Sequence, residues 1–136
     1  MKAEELSPKD LRIGNILTLY GETVTVQEIG NHHGSAYLTV EEKFGHGYHL
    51  DQFQPIPLTE EVLLKSNFIE YANVFAYELR DLDLSVDVNF TKSGGYIVSI
   101  SDEKSDFSRV LSTTMKLHEL QNLITSFGEE LEVKWS

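Results

Sequence analysis

Histidines are the side chains in this chain best suited to chemistry, and their spacing decides which chemistry is on offer. His32 and His33 are adjacent, and His46 and His49 follow an H-x2-H spacing with Glu41, Glu42 and Asp51 close by. Imidazole and carboxylate groups of this kind bind zinc, so His32, His33, His46 and His49 are the candidate metal ligands. A plainer reading is available for all four. Both pairs fall in polar, glycine-containing stretches where no helix face would fix ligand geometry, so we assign no metal and no cofactor. His118-Glu119 opens like the zinc-protease helix H-E-x-x-H, but position 122 is Asn122. Two ligands four residues apart must share one helix face, and here one ligand is missing. What remains is a ridge of hydrogen-bonding groups, His118, Gln121 and Asn122, along the polar edge of a helix. These three are the candidate partner-binding residues, with simple solvent exposure as the alternative.

Other reactive arrangements fail on spacing or type. The stretch Thr91-Lys92-Ser93-Gly94-Gly95 has groups that bind phosphate, yet it lacks the P-loop spacing and joins two strands, so it reads as a hairpin turn. No G-x-S-x-G nucleophile elbow occurs. With no cysteine there is no disulfide, thiolate ligand or cysteine nucleophile. Asp81, Asp83 and Asp87 fall on one face of a strand by alternation alone, which makes them surface charges rather than a catalytic pair. Tyr20, Tyr37, Phe44 and Tyr48 could line a peptide groove, although aromatics at such positions more often fill a core. The expectation is a protein that is not an enzyme.

Charge excludes a further class. Eleven Lys and Arg stand against 22 Asp and Glu, a net charge of −11 over 136 residues. The acidic excess runs through both halves, so there is no basic patch of the kind that binds phosphate backbones. Direct nucleic-acid binding is not expected. The N-terminal residues lack an apolar signal region, and no apolar run approaches the roughly 20 residues of a membrane span. A cytoplasmic protein that does not enter a membrane is expected.

The elements that must position these residues are legible from periodicity. Residues 1–54 read as a small β subdomain, with strands over Ile16–Tyr20, Glu22–Ile29, Ala36–Glu42 and Tyr48–Leu50 separated by glycine-rich turns. Four short strands in about forty residues suit a small SH3-like, barrel-like subdomain. Pro55-Ile56-Pro57 is a stiff connector, and residues 55–136 read as an α+β subdomain. Thr59 caps a helix running to about Ser66, with Glu60 and Glu61 where the helix dipole favours negative charge. Val74–Leu79 is a strand. Leu82, Leu84, Val86, Val88 and Phe90 alternate with polar residues in a second, and Tyr96–Ser101 forms a third, with Tyr96, Val98 and Ile100 inward. Phe107–Leu111 adds another. A final helix opens near Ser112–Thr114 and carries Leu117, Leu120, Ile124 and Phe127 at helical spacing. It stops at Gly128 in the left-handed cap position, and Leu131, Val133 and Trp135 alternate as a closing strand. The fold class is therefore α+β: a barrel-like β subdomain followed by an antiparallel sheet packed against the C-terminal helix, possible also as one united core.

Several phrases resemble a known family. Leu11-Arg12-Ile13-Gly14-Asn15, Ile56-Pro57-Leu58-Thr59-Glu60, and Leu117-His118-Glu119-Leu120-Gln121-Asn122-Leu123 followed by Gly128-Glu129-Glu130-Leu131 are similar to a family of small uncharacterised proteins. These are encoded by Bacteroides-type bacteria and their phages and prophages. The chain departs from that pattern at Glu119, where such proteins usually carry Gln, and at Ile124-Thr125-Ser126-Phe127, where their segment is more aromatic. The resemblance implies a phage or mobile-element context and transfers no catalytic residue. On this reading the protein is a non-enzymatic adaptor that binds an unidentified protein partner. One alternative is an acidic inhibitor of a host nucleic-acid-acting protein, and another is a small metal-dependent enzyme using the loop histidines.

Overall fold

The computed structural model describes residues 6–32, 34–40, 47–102, 104–105 and 107–134. They group into two compact units, Met1–Pro57 with Lys116–Leu123, and Leu58–Met115 with Ile124–Ser136. The elements are α-helices and antiparallel sheets, the α+β class the periodicities require.

In the first unit β1 (Ile16–Leu19) and β2 (Glu22–Thr25) form a hairpin in the register Ile16↔Thr25 to Leu19↔Glu22. Its two-residue turn, Tyr20-Gly21, has positive φ at both positions (51° and 79°), the geometry whose twist matches that of the strands. Gly21 adopts this freely, whereas Tyr20 carries a side-chain penalty there. The chain continues through β3 (Glu28–His32), β4 (Ser35–Thr39), β5 (Tyr48–His49) and β6 (Phe53–Gln54).

The single strand expected over Glu22–Ile29 is in fact two. The chain changes partner at Val26 and Gln27: Val26 N–H donates to Asn15 O and its carbonyl accepts from Gly14 N, both at 2.8 Å. Gln27 N–H then donates to Thr39 O at 2.7 Å, which hands the chain to β4. Leu50 likewise leaves its expected strand for a 3-10 turn, Leu50–Gln52, and the following β6 pairs with β1. The described strands thus make two three-stranded sheets, β2-β1-β6 and β3-β4-β5, and not a closed barrel. Both feed one apolar cluster of Leu11, Leu17, Leu19, Val24, Val26, Leu38, Val40, Leu50 and Phe53.

The second unit opens with α1 (Glu60–Lys65). Thr59 Oγ1 accepts from Val62 N at 3.2 Å as the expected N-cap, and Lys65 pairs with Glu61 at 2.9 Å. Asn67 (φ 65°) ends the helix in the left-handed conformation, and Phe68 N–H donates back to Leu63 O. A five-stranded antiparallel meander follows: β7 (Ile69–Tyr71), β8 (Val74–Leu79), β9 (Leu84–Phe90), β10 (Tyr96–Asp102) and β11 (Ser108–Ser112), ordered β11-β10-β9-β8-β7. Val86, Val88 and Val98 are fully buried on one face, where Phe75, Phe90 and Tyr96 stack edge to face. The alternation that suggested a strand from Leu82 does not survive in that residue. Arg80–Leu82 is a 3-10 turn and Asp83 has φ 55°, because the short β8–β9 connection uses these residues to reverse the chain.

The last helix, α2 (Leu117–Ser126), starts later than the Ser112–Thr114 caps suggested. Lys116 is the cap residue, its N–H accepted by Glu119 Oε1 at 2.9 Å, one half of a capping box. Gly128 (φ 86°) ends the helix as expected, with Gly128 N–H to Thr125 O and Glu129 N–H to Ile124 O completing a Schellman motif. No closing strand forms over the described residues 129–134; Trp135 lies outside them. The alternation is still expressed in burial: Leu131 is buried and Val133 half-buried, while Glu130, Glu132 and Lys134 are exposed. One backbone bond, Lys134 N–H to Lys65 O, and Tyr77 Oη to Glu129 at 3.3 Å tie the segment down. Burial of Tyr77, with Glu129 and Glu132 nearby, holds its phenol above the ordinary value. Among the described residues no helix is long and apolar enough to cross a membrane.

Candidate functional site

The most concentrated polar chemistry lies in the first unit, where the opening turns of α2 meet the segment leading into β1. That segment needs help. Gly14 (φ 96°) turns the chain just before β1, which leaves the Gly14 carbonyl and the Ile16 amide outside the β1–β2 ladder. Ile16 is buried, and a buried peptide amide must be paired. Gln121 pairs both: its Oε1 accepts from Ile16 N at 2.8 Å and its Nε2 donates to Gly14 O at 3.0 Å. A side-chain amide here stands in for the peptide of a neighbouring strand.

Asn122 extends the same clasp. Its Oδ1 accepts from Asn15 Nδ2 at 2.9 Å, and its Nδ2 donates to the Asp10 carbonyl at 2.6 Å. Asn15, buried to 2% exposure, also accepts from Arg12 N at 2.7 Å. His118 precedes these two amides by three and four residues and so shares their face of the helix. It is 4% exposed, and its Nδ1 has no hydrogen-bond partner among the described residues. Burial pushes the imidazole below its ordinary pKa, against the attraction of Glu119 and Asp10 and with a small contribution from Lys116. The ring is therefore neutral at pH 7.

The ridge expected on a solvent-facing edge thus points inward. His118 and Gln121 are buried, and the hydrogen bonds of Gln121 and Asn122 are spent within the unit. Periodicity identified the shared face correctly but not what it meets, since its partners lie 105 to 112 residues earlier in the chain. Asp10, Gly14 and Asn15 were missed for the same reason. The one available signal was a turn-forming Gly14-Asn15 just before an apolar strand.

Beside the clasp lies a cleft of about 200 Å³ lined by Lys9, Asp10, Arg12, Glu119 and Asn122. Its two cations and two carboxylates balance in formal charge, and one Glu119 oxygen is held by the helix cap. No hydroxyl or thiol nucleophile lines this cleft. Among the described residues no group of three histidines, cysteines or carboxylates could hold a metal. Asn122, at the position a metalloprotease helix would give to its second histidine, is instead an amide engaged at both ends.

Of the four candidate metal ligands, His33 and His46 lie outside the described residues, as does the side chain of His32. His49 serves the backbone: its Nδ1 accepts from Asp51 N at 3.1 Å, its N–H donates to Gln52 Oε1, and its ring meets Tyr37 edge-on. Asp83 pairs with Lys104 at 2.9 Å, raising the lysine above its usual value. Asp87 accepts from Ser85 on its own strand at 3.0 Å and from Ser101 on the neighbouring β10 at 2.6 Å. Tyr20 is 63% exposed and meets Tyr48 edge-on, Tyr48 in turn meets Phe53, and Phe44 lies outside the described residues.

No protein-family model, curated protein or solved structure matches this chain. The geometry of the site is a clasp between the opening of α2 and the segment leading into β1.

Proposed function

We propose that the protein is a non-enzymatic, cytoplasmic adaptor of phage or mobile-element context that binds an extended segment of a partner protein along β11. The observation that carries this reading is the edge position of β11. Its outer row of backbone groups has no neighbouring strand among the described residues, and Phe107, Val110 and Leu111 are 59, 59 and 40% exposed beside it. An open edge with apolar side chains is what strand addition uses, with backbone bonds giving affinity and side-chain contacts giving specificity. The bulge at Leu111, between the pairs Val98↔Ser112 and Ser99↔Val110, sets where such a segment would stop. The single charge on β11 is Arg109 in an otherwise acidic chain, which favours an acidic or neutral partner segment. For the first unit, two three-stranded sheets sharing one apolar cluster support an SH3-like reading.

The test is capture from host extract with the parent protein and with Val110→Lys, a change at an exposed side chain that leaves the fold intact. A protein held by the parent and released at least about tenfold by the variant (about 1.4 kcal/mol) supports the edge. Equal retention by both sinks it. A second reading, an acidic inhibitor of a nucleic-acid-acting protein, is favoured by the net charge of −11. It requires the complex to dissociate as salt approaches about 1 M, where the screening length is about 3 Å. The β11 reading requires the complex to persist there.

A further inference from the structure

We propose that His118 is an acid-sensitive latch whose protonation releases the clasp between α2 and the Asp10–Ile16 segment. The argument begins with what the ring has and lacks. It is almost completely buried, and its Nδ1 meets no donor or acceptor among the described residues. A neutral imidazole tolerates one idle nitrogen at modest cost, whereas an imidazolium must place N–H donors at both nitrogens. A buried cation without a partner is far more costly than a buried neutral ring.

The charged groups facing the ring are Glu119 and Lys116 from α2 itself and Asp10 from the turn before β1. Both carboxylates attract a protonated ring, and one Glu119 oxygen is already held by the Lys116 N–H. Nδ1 bonds neither of them in its present position, so protonation there draws the ring toward them. Because it precedes Gln121 and Asn122 by three and four residues on the same face, its movement strains the four bonds those amides make to Asn15, Ile16, Gly14 and Asp10. Acid therefore acts first on the clasp, and the sheet of the second unit has no comparable buried group among its described residues.

The deciding measurement is amide exchange at Ile16, whose N–H is held by Gln121, referenced to Val88 in the central strand β9 and corrected for intrinsic rate. Spectra are taken at about pH 7.5 and about pH 5, on either side of the ordinary imidazole value. Protection at Ile16 is expected to fall at least about tenfold relative to Val88 in the parent protein, and to hold within about twofold in His118→Gln. Should His118→Gln fail to fold, the ring's own carbon and proton shifts in the parent decide the matter. Titration of the ring coincident with loss of Ile16 protection supports the latch. Ring titration with Ile16 protection unchanged, or equal acid loss of protection at Ile16 and Val88, overturns it.

Discussion

At the scale of single residues, Gln121 contributes most per atom. One amide satisfies a strand's first donor and the carbonyl two residues before it, where β6, paired with β1 at Thr18 and Leu19, does not reach. Leaving a buried donor or acceptor unsatisfied costs about 1–3 kcal/mol each. Gln121→Leu keeps the volume and strands the buried Ile16 amide, while the Gly14 carbonyl of an exposed residue turns to water, so urea denaturation should show a loss of about 1–3 kcal/mol. A loss under about 0.5 kcal/mol would mean that water replaces the amide at no cost. His118 gives a pH signature with a definite sign. Its folded pKa lies below the ordinary value, so below about pH 6.5 the unfolded chain binds the proton first. Global stability from His118 is thus fully present above that range and falls as pH drops toward the folded pKa. Denaturation midpoints at several pH values should show this slope in the parent and a flatter one in His118→Gln.

Elements end here through backbone conformation more than through side-chain packing. Gly128 adopts φ 86° to complete the Schellman motif of α2, and nothing lies within 4 Å of where a Cβ would sit. The cost of Gly128→Ala is therefore conformational alone, about 1–2 kcal/mol, and a thermal melt should report it. Thr59→Ala removes the cap of α1 and should cost about 1 kcal/mol by the same measurement. Both positions were readable in sequence because capping is local: the cap and the groups it serves lie within about four residues. The two sheets of the first unit were not readable in that way. The switch from β1 to β4 at Val26–Gln27 leaves the buried alternation of Val24 and Val26 intact. A strand that changes partner while keeping its face has the same pattern as one that does not.

For the molecule as a whole, net charge outweighs any single contact in setting how stability responds to salt. At −11 the chain repels itself, and pairs such as Lys65 with Glu61 and Lys104 with Asp83 lie on the surface, where each offsets little of this. Raising salt from about 0.01 M to about 0.15 M shortens the screening length from about 30 to about 8 Å. The unfolding midpoint should rise over that range. A falling midpoint would show that attractive pairs outweigh the net repulsion.

The sequence by itself determined the α+β class, the Thr59 cap of α1 and the Gly128 stop of α2, the central strands β8 to β10 and the inward face of Val86, Val88 and Val98. Each of these follows from interactions between near neighbours or from a period that repeats within one element. The tertiary structure alone decided how the early strands divide between two sheets, that β6 joins β1, and that residues 131–134 alternate without forming a strand. It also decided the meaning of His118, Gln121 and Asn122. Polarity and helical spacing place these three on one face, but whether that face meets water or the unpaired peptide groups of Gly14 and Ile16 depends on contacts more than a hundred residues apart. No local pattern encodes such contacts, because the free energy that makes a buried amide favourable exists only once its distant partner is in place.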